Sequence, residues 1–105
     1  MQSDRLKELD ESIKLIRQNI YLMIEKERER QNKKWGFPQY NSLAQWGNIL
    51  TEEHGEAIKE LTELDFRREK YDTKLIRELV EEIAVAVSII EHLSMGIIPE
   101  AGDAK

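Results

Sequence analysis

The chain has 105 residues, a net charge of −5 and no cysteine. That length allows one domain, and the lack of cysteine excludes disulfides, thiolate metal sites and cysteine nucleophiles. The acidic balance argues against broad binding to nucleic acid. The longest apolar stretch, IAVAVSII, is far shorter than the ~18 residues that span a bilayer, and the first residues lack the apolar core of a signal peptide. We therefore expect a cytoplasmic protein without a nucleic-acid or membrane partner.

The first predicted helix covers residues 4–33, where apolar side chains recur three and four residues apart. This spacing is typical of a narrow seam that packs on a partner helix. The seam consists of Leu6, Leu9, Ile13, Ile16, Ile20 and Met23. We assign residues 1–24 to an N-terminal helical extension whose seam serves oligomerisation. The alternative is that the seam packs on the bundle of its own chain.

The run KKWGFPQYN separates the first helix from the second. Gly36 can end a helix, Pro38 cannot continue one, and Asn41 or Ser42 can cap the next. Ser42 and Gln45 also have the spacing of a capping box, which predicts that the second helix begins directly after Ser42.

The second predicted helix covers residues 43–64 and has one apolar side. The third covers residues 73–95, and its segment 83–90 is apolar nearly all round, so we expect it to be the most buried helix. Residues 96–105 are predicted to form a flexible tail. The fold class is therefore all-α with three main helices, and we expect dimerisation to assemble them into a four-helix-bundle core.

Glutamates are concentrated in the second and third predicted helices, in the runs TEEHGEA and RELVEEIAVAV. A projection at ~100° per residue places Glu53 inside the apolar stripe of the second helix, with Glu56 at its edge. On the third helix, Glu78 and Glu82 lie on the inward line and Glu81 lies slightly nearer to solvent. Buried carboxylates need a cation, an arginine or a proton. Two facing pairs would form a cage of oxygen ligands suited to Mg²⁺ or Mn²⁺.

Solvated acids are the alternative, because a chain with 21 acidic residues places some of them at helical spacing by chance. A di-iron bundle is disfavoured, since neither His54 nor His92 stands in the Glu-x-x-His motif that such bundles use. We expect both histidines to be structural or solvated.

The order of these motifs resembles that of the MazG-type all-α nucleoside triphosphate pyrophosphohydrolases, relatives of the all-α dUTPases. The EExxE motif of that family appears as Glu52-Glu53-His54-Gly55-Glu56, and its ExxD motif as Glu78-Leu79-Val80-Glu81. The runs ERERQNKKWG, WGNILTEEHGEA and ELVEEIAVAVSIIEHL are similar to a compact branch of the family found in phage and mobile elements. The resemblance covers residues 25–95, which it identifies as a MazG-like catalytic domain.

The resemblance implies hydrolysis of a nucleoside triphosphate to a monophosphate and pyrophosphate at a Mg²⁺ or Mn²⁺ site, in a homodimer or homotetramer. The implied metal ligands are Glu53, Glu56, Glu78 and Glu81. Glu81 stands where the family has aspartate, so Glu82 is an alternative at that corner. The candidate base for the attacking water is Glu52 or a ligand carboxylate such as Glu53.

The substrate phosphates call for cations near the acids, and aromatic rings suit a nucleobase. The candidate phosphate contacts are Arg28, Arg30, Lys33 and Lys34, and the candidate stacking residues are Trp35 and Trp46. Alternative cations are Lys59, Arg67, Arg68 and Lys70. Two other functions stay open, namely a non-enzymatic helical interaction protein and a nucleotide sensor with a degenerate site. The preferred base and sugar are not assigned.

Overall fold

A computed structural model describes residues 2–67 and 73–99, and these residues form three helices and no strand. The helices are α1 (Gln2–Trp35), α2 (Leu43–Arg67) and α3 (Thr73–Ser94). The predicted all-α class with three main helices is confirmed, and each helix end agrees with its predicted position within three residues. Arg68, Lys70 and the tail residues 100–105 lie outside the described residues.

α3 lies between the other two helices. It packs against both α1 and α2, whereas α1 and α2 show no comparable packing on each other within the described residues. The buried side chains of α3 are Leu75, Val80, Ala84, Val85, Ser88 and His92. This helix is the most buried of the three, as predicted, but Ile83 and Ile90 remain exposed because only two helices cover it.

The loop between α1 and α2 begins and ends at the predicted residues. Gly36 adopts a φ of +87°, the left-handed conformation that glycine allows at the end of a helix, and its N–H donates to the Asn32 carbonyl at 2.8 Å. The Ser42 N–H donates to Gln45 Oε1 at 2.8 Å, and the Gln45 N–H donates to Ser42 Oγ at 3.2 Å. The predicted capping box is therefore confirmed.

The middle of this loop is fixed to α3 by His92, which is only 1% exposed. The Gln39 N–H donates to His92 Nε2 at 3.0 Å, and His92 Nδ1–H donates to the Ser88 carbonyl at 2.6 Å. The rings of Phe37 and Trp46 lie 5.2 Å and 5.0 Å from the imidazole, measured between centroids. His92 therefore has the structural role that we expected.

The N-terminal part of α1 extends away from the bundle. Every side chain from residue 3 to residue 22 is exposed, and Met23 is the first that is half-buried. Leu6 is 66% exposed and Ile16 is 54% exposed. From Leu6 to Ile20 the seam is therefore not covered by α2 or α3 of its own chain, within the part that the structure describes. None of the helices in the described residues is long and apolar enough to cross a membrane.

Candidate functional site

Four glutamates converge where α2 packs on α3. Glu53 and Glu56 come from α2, while Glu78 and Glu81 come from α3, and one carboxylate oxygen from each residue lies within 4.8 Å of the other three. Each helix supplies two acids three residues apart, and this spacing places both on one face. The structure thus brings together the four residues that were predicted as metal ligands.

Ionisation of the clustered carboxylates is unfavourable. Burial raises the pKa of Glu53 to about 7, and the charges of Glu56, Glu81 and Glu78 add to the effect. Burial likewise raises the pKa of Glu78, again with contributions from Glu81 and Glu56. A proton or a nearby cation would relieve this repulsion.

Two carboxylate oxygens of the cluster lack hydrogen-bond partners. Glu53 Oε2 and Glu78 Oε2 are both buried, and neither accepts a hydrogen bond in the described structure. Buried polar atoms are nearly always satisfied by protein, water or an ion, so a water, a proton or a cation would satisfy these two oxygens. Carboxylate oxygens are the donors that Mg²⁺ and Mn²⁺ prefer, and the residues present therefore fit such a cation.

Glu82 has a different neighbour from Glu81. Its Oε1 lies 2.6 Å from His54 Nδ1, and Glu82 is not among the four clustered glutamates. Successive residues of a helix are ~100° apart, so Glu81 and Glu82 face different directions. The structure brings Glu81, rather than its predicted alternative, to the cluster. His54 itself is exposed and pairs with Glu82.

A cavity of about 490 Å³ lies next to the cluster, between the end of α1, the loop, α2 and α3. Its volume falls in the range of small-molecule sites. Five predicted site residues line it: Arg28, Trp35, Trp46, Glu52 and Glu53. The loop contributes Pro38, Gln39, Tyr40 and Asn41 to the wall. Because Glu53 belongs to both features, a ligand in this cavity would contact the carboxylates.

The Trp46 side chain has an unused donor. Trp46 is 3% exposed and lines the cavity, yet its Nε1–H has no hydrogen-bond acceptor in the described structure. A buried indole N–H usually finds a partner. A ligand with an acceptor atom would satisfy it.

The predicted phosphate-binding cations are arranged less favourably. The buried guanidinium of Arg28 donates from Nε to Glu91 Oε1 at 2.8 Å and from Nη1 to Gln31 Oε1 at 3.0 Å. Arg30 forms two 2.7 Å hydrogen bonds to the Glu27 carboxylate. Of the four predicted cations, only Arg28 lines the cavity, and much of its donor capacity is used within the protein.

The other two predicted cations, Lys33 and Lys34, are exposed near the end of α1 and do not line the cavity. The Lys34 ammonium lies 5.1 Å from the centroid of the Trp35 ring, close enough for a cation–π contact. The basic end of α1 is therefore beside an aromatic wall of the cavity. Among the alternative cations, Lys59 is exposed and does not line the cavity either.

Two residues of α1 were not predicted to belong to the site. Glu27 accepts hydrogen bonds from Arg30 and Gln31, and its charge contributes to the raised pKa of Glu53. Gln31 is buried and lines the cavity. Both continue the seam, since residues 27 and 31 follow Met23 at intervals of four. That spacing could have identified them as facing α3.

The chain matches no family model, and no curated protein or solved structure shows significant similarity to it. The resemblance to the MazG-type enzymes therefore stays a prediction. The chemistry of the site is limited to what the described residues offer. They supply hard oxygen ligands from two helices, a carboxylate at the cavity wall and an aromatic cavity beside them.

Proposed function

We propose that this chain is a metal-dependent nucleoside triphosphate pyrophosphohydrolase, which hydrolyses a (deoxy)nucleoside triphosphate to the monophosphate and pyrophosphate. One observation carries the proposal: four carboxylates converge beside an aromatic cavity, and two of their buried oxygens lack a partner. A triphosphate bound to a divalent cation has both a charged part for the cluster and a planar base for the cavity. We further propose that it acts as a homodimer or homotetramer with a four-helix core.

The residues that would hold Mg²⁺, or Mn²⁺, are Glu53, Glu56, Glu78 and Glu81. When bound, such a cation neutralises charge on the triphosphate and makes a coordinated water more acidic. Without a cation, the four carboxylates repel one another when they are ionised. This repulsion favours binding of a dication over an empty cluster. Glu81 can serve as the fourth ligand in place of the aspartate of the family, because its side chain already reaches the group.

Proton transfer from the attacking water needs a carboxylate that faces the cavity. Glu52 is exposed and lines the cavity without belonging to the four-residue cluster, so it is free to accept a proton. The water oxygen would form a bond to the α phosphorus, while the bond from that phosphorus to the α–β bridging oxygen breaks and pyrophosphate leaves. Glu53 is the alternative base, because it also lines the cavity.

The aromatic residues would bind the base. Trp35 and Tyr40 line the cavity with exposed rings that offer stacking surfaces. The free Nε1–H of Trp46 would donate to a carbonyl oxygen or ring nitrogen of the base. Lys33 and Lys34, exposed at the end of α1, are the available cations for the outer phosphates, whereas Arg30 is held by Glu27.

Pyrophosphate release tests the proposal. The purified chain is incubated with a panel of common and modified nucleoside triphosphates, with Mg²⁺, with Mn²⁺ and with a chelator, and both products are quantified. We expect metal-dependent release of pyrophosphate and monophosphate in equal amounts, which Glu53→Gln abolishes. If no nucleotide of the panel released pyrophosphate, and the protein still gave the spectrum of a folded helical chain, hydrolysis would be refuted.

A second candidate is a non-enzymatic protein that senses nucleotides or binds another helix. The exposed apolar seam of α1 favours it, because a catalytic site does not need that surface. Stabilisation by a nucleotide without pyrophosphate release would indicate a sensor with a degenerate site. If neither metal nor nucleotide stabilised the chain, helix binding would be the better explanation.

A further inference from the structure

The exposed seam of α1 follows a strict seven-residue repeat. Leu6, Ile13 and Ile20 are seven residues apart, and so are Leu9, Ile16 and Met23. In heptad notation the first three residues occupy a positions and the last three occupy d positions. A strict repeat of seven favours a left-handed supercoil with a partner helix over a single straight helix.

Within the described residues, this part of α1 is exposed to solvent. Residues 3–22 are exposed and would extend for about 30 Å at 1.5 Å per residue. The helix meets α3 from about Tyr21 onward: Tyr21 and Val87 line one groove, and Met23 and Ile76 line another. Most of the stability of helices in proteins comes from packing of an apolar face, so a partner helix would stabilise this segment.

The charged residues that flank the seam favour a second copy of this chain as the partner, in the parallel direction. Arg5 occupies a g position and Asp10 the next e position, and a parallel pair of identical helices brings these two together across the interface. The next two g–e pairs, Ser12 with Arg17 and Asn19 with Ile24, contain no like charges. The parallel arrangement therefore has two attractive contacts and no repulsive one.

The antiparallel arrangement is less favourable. With the same apolar residues in register, g positions face g positions, and Arg5 would lie near the partner's Lys26. This repulsion opposes the attraction between Asp10 and the partner's Arg17. The Asp10–Lys14 ion pair within one helix, 3.0 Å long, is mostly solvent-exposed and does not prevent an interhelical contact.

We propose that residues 3–23 of two copies of this chain form a parallel two-stranded coiled coil, with Arg5 of each copy paired with the partner's Asp10. The two bundles then lie at the same end of the coiled coil. This interface is independent of the proposed activity, since it involves none of the clustered glutamates.

Self-association of the full chain tests the interface. Ile13→Asp places a charge on the seam, whereas the matched control Leu15→Asp places the same charge on an exposed leucine outside the a and d positions. Sedimentation equilibrium should show at least ~10-fold weaker association for Ile13→Asp and no change for Leu15→Asp. Equal association constants for both variants and the wild type, with unchanged helical content, would overturn the proposal.

Crosslinking tests the direction. The chain has no cysteine, so Leu9→Cys introduces a single thiol at a d position. In a parallel pair the two thiols are adjacent and should form an intermolecular disulfide on mild oxidation. In the antiparallel pair residue 9 faces residue 20, which leaves the thiols about 16 Å apart along the axis and unable to bond. The control Leu15→Cys, outside the seam, should form no such disulfide. If Leu9→Cys also formed no covalent dimer, the parallel coiled coil would be refuted.

Charge reversal gives an independent readout. Arg5→Glu should weaken association at low salt, and Arg5→Glu combined with Asp10→Arg should restore it. Stronger association of Arg5→Glu would instead indicate the antiparallel arrangement, because a glutamate would then face the partner's Lys26.

Discussion

A carboxylate oxygen of Glu53 on α2 lies within 4.8 Å of a carboxylate oxygen of Glu78 on α3, and each residue also buries one oxygen without a hydrogen-bond partner. The contact joins the two helices across their packed interface, yet it is repulsive when both groups are ionised. The folded chain therefore carries an electrostatic cost at this point. A ligand or a proton would remove that cost.

Divalent metal should stabilise the folded chain. At a free Mg²⁺ or Mn²⁺ concentration of about 10 times Kd, binding to the folded state alone adds about 1.4 kcal/mol, which raises Tm by several degrees. Thermal unfolding with metal and with chelator measures the gain. Glu53→Gln should lose it, because that substitution removes a ligand and one negative charge.

Glu82→Gln is the matched control for this measurement. It makes the same chemical change on α3, at a residue that pairs with His54 outside the cluster. We expect this variant to keep the wild-type response to metal. An equal loss of the response in both variants would contradict a site formed by Glu53, Glu56, Glu78 and Glu81.

In chelator, the stability of the chain should fall as pH rises from about 4.5 to about 7. Burial and neighbouring carboxylates raise the pKa of Glu53 from 4.5 to about 7, so the folded state binds this proton more tightly than the unfolded state does. The stabilisation is complete below the unfolded pKa and is lost as pH rises through the folded pKa.

Glu53→Gln removes this titration and should be the more stable protein at pH 8. The raised pKa alone corresponds to about 3 kcal/mol, and solvent around a partly exposed group reduces the expected difference to about 1–2 kcal/mol. Urea unfolding at pH 8 and at pH 4 gives the comparison, and the difference should be absent at pH 4. Equal stabilities at pH 8 would show that the cluster is better solvated than its burial indicates.

Glu52→Gln should separate proton transfer from metal binding. Loss of a general base lowers kcat by about 100-fold or more, while the metal ligands stay intact. We therefore expect low turnover together with the full thermal stabilisation by Mg²⁺. If turnover persisted, Glu53 would become the better candidate base.

The aromatic cavity should contribute to substrate binding through two different interactions. Trp35→Ala removes a stacking surface worth about 1–3 kcal/mol per base, which raises KM by about 5-fold or more. Trp46→Phe keeps a buried ring but removes the unpartnered Nε1–H, so it should weaken binding of bases that offer an acceptor there. Steady-state kinetics with several nucleotides measures both effects. Unchanged KM values in both variants would exclude this cavity as the base site.

His92 should be important for stability, unlike His54. His92→Ala leaves a cavity beside Trp46 and removes the acceptor for the Gln39 N–H, so we expect a loss of about 2–4 kcal/mol. His54→Ala alters an exposed side chain and should change the free energy of unfolding by less than ~0.5 kcal/mol. Urea denaturation compares the two variants. A similar small loss in both would contradict the anchoring role of His92.

The helices and three of the glutamates, Glu53, Glu56 and Glu78, were predictable because the signals that define them are local. Helical periodicity gives the direction of each side chain, and Glu53 stood out because it projects into an apolar stripe. The capping box likewise depends on two residues three apart, Ser42 and Gln45. The projection favoured Glu82 over Glu81 and was wrong for the cluster, because the choice depends on where α2 crosses α3; only the resemblance indicated Glu81.

The surroundings of the site depend on contacts between residues far apart in the chain. Arg28 was predicted as a phosphate contact, but its hydrogen bond to Glu91 spans 63 residues and cannot be read from spacing. The contribution of the loop to the cavity wall depends on the hydrogen bond between Gln39 and His92, which spans 53 residues. Such pairings depend on tertiary packing, which helical periodicity does not predict.

The loop between α1 and α2 can be substituted without altering the clustered glutamates. It supplies four residues of the cavity wall, at positions 38–41, and none of the clustered glutamates. Its ends are fixed by Gly36 and the capping box, and its middle is fixed by His92. Substitutions at Tyr40 or Asn41 can therefore alter which ligand fits while the carboxylates keep their positions. Under the proposed function, ligand preference and reactivity are thus separable, and exchanging the loop would change the preferred substrate.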